Sequence, residues 1–310
     1  MAIAAFLTVP AKVSAQITPD VIYGDDDRLD LYQVKNARIK QLADSTVALF
    51  KAGDVGADGK LSTSHYGEEL SLCKEEPFYD QHTGAFCSGS LVAPDVIMTA
   101  GHCVRSESAC KGTKFVFGFG VKQEGVLPKQ VDPSQVYGCS KIIAREEVGT
   151  GADYALVKLD RKVAGHKVLE INRGGVIENG TGLFVIGHPA GLPTKVAGGA
   201  SVRDASPEGY FVANLDTYGG NSGSAVFNAK TGLVEGILVR GENDYVWKGE
   251  CRVSNKCPSE GCRGEDVTKL SALSSMIPQR GKVRMVKNVP VLRQLVGMAN
   301  ADETTLPKAR

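Results

Sequence analysis

Residues 219–227 read GGNSGSAVF, a glycine- and serine-rich turn running into a short apolar strand. A serine on such a turn can serve as a nucleophile when an imidazole takes its proton, because the hydroxyl alone attacks poorly. The plainer alternative is a turn serine, since Gly, Asn and Ser collect in tight turns for backbone reasons. The chain has five histidines, at 65, 82, 102, 166 and 188, and all of them precede Ser222. That order excludes the Ser–acid–His arrangement of α/β-hydrolases, whose G-x-S-x-G elbow is also missing because Ser224 stands at its second glycine. The order His–Asp–Ser stays open.

His102 lies in FCSGSLVAPDVIMTAGHCV (86–104), two short strands joined by an APD turn. The histidine therefore sits just past a strand end, where side chains can face a cleft. Cys87 and Cys103 begin and end this hairpin, and a disulfide between them would pin the segment that carries His102, contributing about 3 kcal/mol by loop closure. Asp153, in GADYALVKLD, precedes an alternating strand, so its carboxylate can be buried at the strand mouth against an imidazole. Asp160, at the other end of that strand, reads as a turn residue. His65, His82, His166 and His188 read as ordinary hydrogen-bonded histidines.

The elements that must position these residues are short. STVALF (45–50), SGSLV (88–92), VIMTA (96–100), KFVFGFG (114–120), ALVKL (155–159), LFVIG (183–187) and LVEGILV (233–239) are separated by turn residues, the pattern of an all-β barrel or sandwich. Residues 51–86 form a polar insertion holding Cys73, expected as a surface loop. Residues 241–265 carry Cys251, Cys257 and Cys262 and are expected as a stapled loop. From Glu265, EDVTKLSALSSMI spaces Val267, Leu270, Leu273 and Ile277 as a helix would, which predicts a C-terminal helix. The tail after Gly281 is basic, then polar.

Composition bounds the rest. The 310 residues carry a formal net charge of +1, without the basic stripe that nucleic acid or an anionic membrane surface would require. Eight cysteines, none in a Cys-x-x-Cys pair, suit disulfides better than zinc knuckles; reduced buried thiols are the alternative. MAIAAFLTVPAKVSA has a short apolar core with Val13 and Ala15 spaced as at a signal-peptidase site, though without a basic start. No later stretch approaches the roughly 18 apolar residues of a membrane span. Together these features predict an exported protein with disulfides.

TAGHC, DYALVKL and GGNSGS resemble the three signature blocks of chymotrypsin-type serine peptidases, in that family's order and with the central residues 51 and 69 positions apart. The resemblance covers roughly residues 21–280 and implies two six-stranded antiparallel β-barrels. The expected division is a signal peptide or pro-segment over 1–20, a first barrel over 21–165 and a second over 166–280, with a tail over 281–310. It implies His102 as general base and then acid, Asp153 as the orienting carboxylate and Ser222 as nucleophile. The N–H groups of Gly220 and Ser222 would form the oxyanion hole. In pancreatic-type members an aspartate before the nucleophile pairs with the amine made by zymogen cleavage; Asn221 is uncharged, so that switch is absent. GGNSGS and VIYGDDDR (21–28) look instead like the bacterial branch that includes the glutamyl endopeptidases, with a mature N-terminus at or near Val21.

By family position, Asp216 lies at the base of the primary pocket with Thr217 beside it, which implies a weak preference for Lys or Arg before the cut; the plainer alternative is that Asp216 only hydrogen-bonds turn amides. Leu238 stands where glutamyl endopeptidases carry a histidine, and Arg240 could neutralise Asp216 or attract an acidic side chain. The expected protein is thus a monomeric, exported serine endopeptidase acting on proteins or peptides, with no metal or other cofactor and no nucleic-acid or membrane partner. A catalytically silent binding protein of the same fold, a cysteine-stapled structural β protein and a zinc protein are the competing classes.

Overall fold

A computed structural model describes residues 22–279, apart from 175 and 242. The expected segment 1–20, Val21 as a new terminus and the tail 281–310 lie outside the described residues. Twelve strands build two closed barrels. The first comprises β1 (Thr46–Lys51), β2 (Cys87–Ala93), β3 (Val96–Thr99), β4 (Thr113–Phe117), β5 (Val136–Glu147) and β6 (Asp153–Leu159), closed in the order β6-β3-β2-β1-β4-β5. The second comprises β7 (Gly182–Gly187), β8 (Lys195–Asp204), β9 (Tyr210–Ala213), β10 (Ala225–Asn228), β11 (Val234–Arg240) and β12 (Glu265–Lys269). Its order is β7-β10-β11-β12-β9-β8, and pairing of β7 with β8 closes the ring. Closure leaves neither barrel an open edge to template aggregation.

The strands form where the sequence offers short β-branched and aromatic runs, and their inward side chains make the core. One apolar cluster contains Val47, Leu91, Ile97, Phe117 and Leu156 from the first barrel with Phe184, Ile186, Phe227 and Ile237 from the second. β6 is buried along both faces rather than one, with Lys158 its only partly exposed residue. It lies at the junction of the barrels, so the half-buried strand implied by its alternation has a second neighbour.

Three segments differ from expectation. Residues 265–277 are not a helix: Glu265–Lys269 is a barrel strand with partners on both sides, β9 and β11. It is followed by two 3-10 turns, Leu270–Ala272 and Ser274–Met276. The apolar spacing is real, since Val267, Leu270, Leu273 and Ile277 are all buried. A 3-10 turn repeats every three residues, so it satisfies the same spacing without forming an α-helix. The insertion 51–86 is not a loose loop. It buries Leu61, Tyr66 and Leu72 and includes a helical turn at Tyr66–Glu69. Finally, the N-terminal stretch serves the second barrel: residues 28–30 pair with β8, and Ile22–Tyr23 pairs with Lys256–Cys257.

Four disulfides join Cys87 to Cys103, Cys73 to Cys251, Cys110 to Cys139 and Cys257 to Cys262. Only one of the three cysteines in 241–265 is therefore stapled outside that segment, to the insertion 51–86.

Candidate active site

His102 lies on a 3-10 turn, Gly101–Val104, directly after β3. The Cys87–Cys103 disulfide ties this turn to the start of β2, and Thr99 Oγ1 donates to Ser88 O at 2.7 Å. Asp153, the first residue of β6, is 3% exposed. Its Oδ2 lies 2.7 Å from His102 Nδ1, while Oδ1 accepts the N–H groups of Gly101 at 2.6 Å and His102 at 3.1 Å. Burial alone would raise this carboxyl. The hydrogen bond and charge of His102, with the two backbone N–H groups, overcome burial and hold it below its ordinary value. A carboxylate at Nδ1 fixes the proton there, so Nε2 becomes the acceptor.

Asp153 is also held from the second barrel. Its N–H donates to Thr268 Oγ1 at 3.0 Å, and the Thr268 hydroxyl lies 2.9 Å from Asp153 O. Thr268 escaped the sequence reading because β12 was read as helix. Cys87, His102 and Cys103 come close enough to suggest a metal site, but the two sulfurs are bonded to each other and are not available as thiolates.

Ser222 is half-buried on the turn leading to β10. Its carbonyl accepts Ser88 N at 2.8 Å and lies 3.7 Å from Cys103 Sγ, which brings residue 222 alongside the turn of His102. Among the described residues no hydrogen bond joins Ser222 Oγ to the imidazole; catalytic bonds of this kind often close only in the substrate complex. Gly223 has φ +91°, and a Cβ there would meet Ser88 O at 2.0 Å, so the turn can approach β2 only with glycine. Gly220 also has φ +91°, a left-handed conformation that L side chains avoid. Asn221 is buried, and its Oδ1 accepts the Ser224 hydroxyl at 3.2 Å.

Beside Ser222 opens a cavity of about 250 Å³, lined among others by Thr217, Leu238, Arg240, Asp244 and Glu265. Asp216 does not line it. Its carboxylate accepts Tyr23 N at 2.8 Å and Asp27 N at 3.0 Å, so it serves the N-terminal segment rather than the cavity. Burial raises the Asp216 carboxyl to about 7 against the pull of those two N–H groups, with Asp26 and Asp27 adding to the rise. Glu265, at the start of β12 and 2% exposed, and Asp244 are lining carboxylates that sequence reasoning missed. Glu265 Oε2 accepts Thr217 Oγ1 at 3.1 Å and its Oε1 accepts Tyr23 OH at 3.4 Å. Arg240 turns its guanidinium to Asp266 Oδ2 at 2.9 Å and Gly151 O at 2.8 Å.

Two closed barrels, with a buried carboxylate on a histidine and a serine turn wedged beside it, define the chymotrypsin-type class of fold. Residues 87–237 match the family model described as "Trypsin-like peptidase domain". Over that stretch, which is just under half of its length, the chain resembles the trypsin-like peptidases. It is 32% identical over 125 residues to "Chymotrypsin-like elastase family member 3A" of Homo sapiens, covering 38% of this chain and 44% of that protein. A 33% match to "Chymotrypsin-like elastase family member 3B" of Homo sapiens has the same coverage, so the chain spans less than half the length of the curated relatives it matches. Among solved structures it is similar to a Glu endopeptidase in complex with MPD, with TM-score 0.49 and 18% identity over 83% of this chain and 97% of that one. The Vibrio cholerae VesB protease gives TM-score 0.49 and 16% identity over 83% and 66% of the two chains.

Proposed function

We propose that the protein is an exported serine endopeptidase acting on proteins or peptides through His102, Asp153 and Ser222. The observation that carries this reading is the Asp153 carboxylate, which bonds the imidazole with one oxygen and two backbone N–H groups with the other. Ser222 Oγ attacks the scissile carbonyl while His102 Nε2 takes its proton. The oxyanion forms against the N–H groups of Gly220 and Ser222. The proton then passes from the imidazolium to the leaving amine, and water hydrolyses the acyl-enzyme by the same steps in reverse. Each oxyanion donor is worth about a hundred- to a thousandfold in rate. No step asks for a metal or organic cofactor.

The preference for Lys or Arg that the sequence attached to Asp216 has different support. Glu265 lines the cavity beside Ser222, and a carboxylate there favours a cationic side chain by a charge-assisted bond, whereas the Asp244 carboxylate is taken up by Gly219 N–H. A preference for acidic residues would call on Arg240, whose guanidinium is engaged by Asp266. Four disulfides support export to an oxidising compartment. Among the described residues no helix is long and apolar enough to cross a membrane.

A catalytically silent binding protein is the competing reading. A serine-directed fluorophosphonate should label the wild type and fail to label Ser222→Ala. An unlabelled wild type would establish the silent alternative. A peptide library on labelled-competent enzyme should give products ending mainly in Lys or Arg; acidic or apolar ends would overturn the specificity.

A further inference from the structure

Asn221 removes the ion pair that shapes the oxyanion turn in pancreatic-type relatives, so something else must hold Gly219 and Gly220. The peptide unit between them is gripped at its oxygen: Ala190 N donates to Gly219 O at 2.5 Å. No cis peptide bond is present among the described residues, and in a trans unit the C=O and N–H point opposite ways. Fixing Gly219 O therefore fixes the direction of Gly220 N–H. The preceding amide is gripped too, since Gly219 N donates to Asp244 Oδ2 at 2.8 Å. Gly220 O accepts Ser88 Oγ at 2.8 Å. Asn221 N donates to Tyr218 O, and Asn221 O and Ser222 O accept Ser224 N and Ser88 N, so the other main-chain groups of residues 219–222 are engaged, while the N–H groups of Gly220 and Ser222 donate to no protein group among the described residues.

Both grips come from the segments the catalytic scheme leaves unexplained. Ala190 has φ 51° and ψ 23°, a left-handed conformation that a non-glycine residue keeps only when its surroundings impose it. The surroundings are residues 83–85 of the insertion: the Thr83 hydroxyl donates to Ala190 O, and Gly84 N and Ala85 N donate to Gly191 O at 3.0 and 3.2 Å. Asp244 belongs to the other insertion, where Asn255 N donates to its carbonyl at 3.1 Å. The Cys73–Cys251 disulfide joins the two insertions.

We propose that Asp244, and Thr83 acting through the Ala190 main chain, are positioning residues that hold the Gly219–Gly220 turn with its oxyanion donor facing the cleft. This rests on the serine peptidase reading. What the clamp needs from residue 244 is an acceptor oxygen, which asparagine also offers, and from residue 83 a hydroxyl, which serine also offers.

The test compares Asp244→Ala, Asp244→Asn, Thr83→Val and Thr83→Ser. Each is assayed for kcat, KM and affinity for a peptide aldehyde and its alcohol ending in the residue after which wild type cuts best. The aldehyde accepts Ser222 Oγ at its carbonyl carbon, the proton moves to His102 and the carbonyl oxygen becomes the oxyanion; the alcohol forms no such adduct. The aldehyde-to-alcohol affinity ratio therefore reads the oxyanion hole apart from the pocket. Asp244→Ala should lower kcat and this ratio together, by about 10²-fold, with KM within about threefold. Thr83→Val should move both in the same direction, while Asp244→Asn and Thr83→Ser recover most of the loss. An unchanged ratio in Asp244→Ala, or an Asp244→Asn as impaired as Asp244→Ala, overturns the clamp. A wild type that fluorophosphonate cannot label instead overturns the peptidase reading beneath it.

Discussion

Asp153 and Asp216 are both buried carboxylates, yet their surroundings push them in opposite directions. Asp153 faces an imidazole and sits below the ordinary 3.8; Asp216 faces only N–H groups among further aspartates and rises to about 7. For Asp216 the folded state holds a proton that the unfolded state has released, so stability falls as pH rises from about 4 to about 7. The change is on the order of 2–4 kcal/mol. Denaturant melts across that range should show this slope, and Asp216→Asn should flatten it. Asp153 contributes in the other sense, its stabilisation being present above 3.8 and lost as pH falls below it. Glu265 gives the second prediction at this scale. Glu265→Gln keeps the size and the Thr217 bond but removes the charge, so kcat/KM on Lys and Arg substrates should fall by about tenfold or more. Substrates with neutral side chains should be spared. An unchanged Lys and Arg preference would move the determinant elsewhere in the cavity.

At the scale of elements, the Cys73–Cys251 link closes a loop of 178 residues and fastens one insertion to the other. By loop entropy Cys73→Ser with Cys251→Ser should cost up to about 5 kcal/mol, read as a lowered denaturation midpoint. The barrel strands and the His102–Asp153 contact were legible because each depends on local sequence: an apolar run between turns, or a short block such as TAGHC. Glu265 and Thr268 were not legible. Both lie on β12, whose apolar spacing fits a helix, a 3-10 turn or a strand, and only pairing with β9 and β11 decides among them. Asp216 was misplaced for a related reason, since its partners Tyr23 and Asp27 lie some 190 residues upstream. Family position located its backbone but not the direction its carboxylate serves.

Across the whole molecule, the two barrels share one apolar cluster and the Thr268–Asp153 bonds rather than meeting as separate bodies. Chains of this size often unfold domain by domain. Here exposing one barrel strips the core of the other, so far-UV and near-UV circular dichroism should report a single coincident transition in denaturant. Two resolved transitions would mean that each barrel stands alone.

The pairing of Ile22–Tyr23 with Lys256–Cys257 carries a consequence for synthesis. The first described residues find their strand partners far downstream, so this pairing must wait until Cys257 has left the ribosome. At ordinary elongation rates that delay is roughly ten to fifty seconds. A nascent chain can close its first barrel well before then, yet the wall that Tyr23 shares with Glu265 is completed last. The timing leaves the cleft unfinished while the closing strands of the second barrel are still being made.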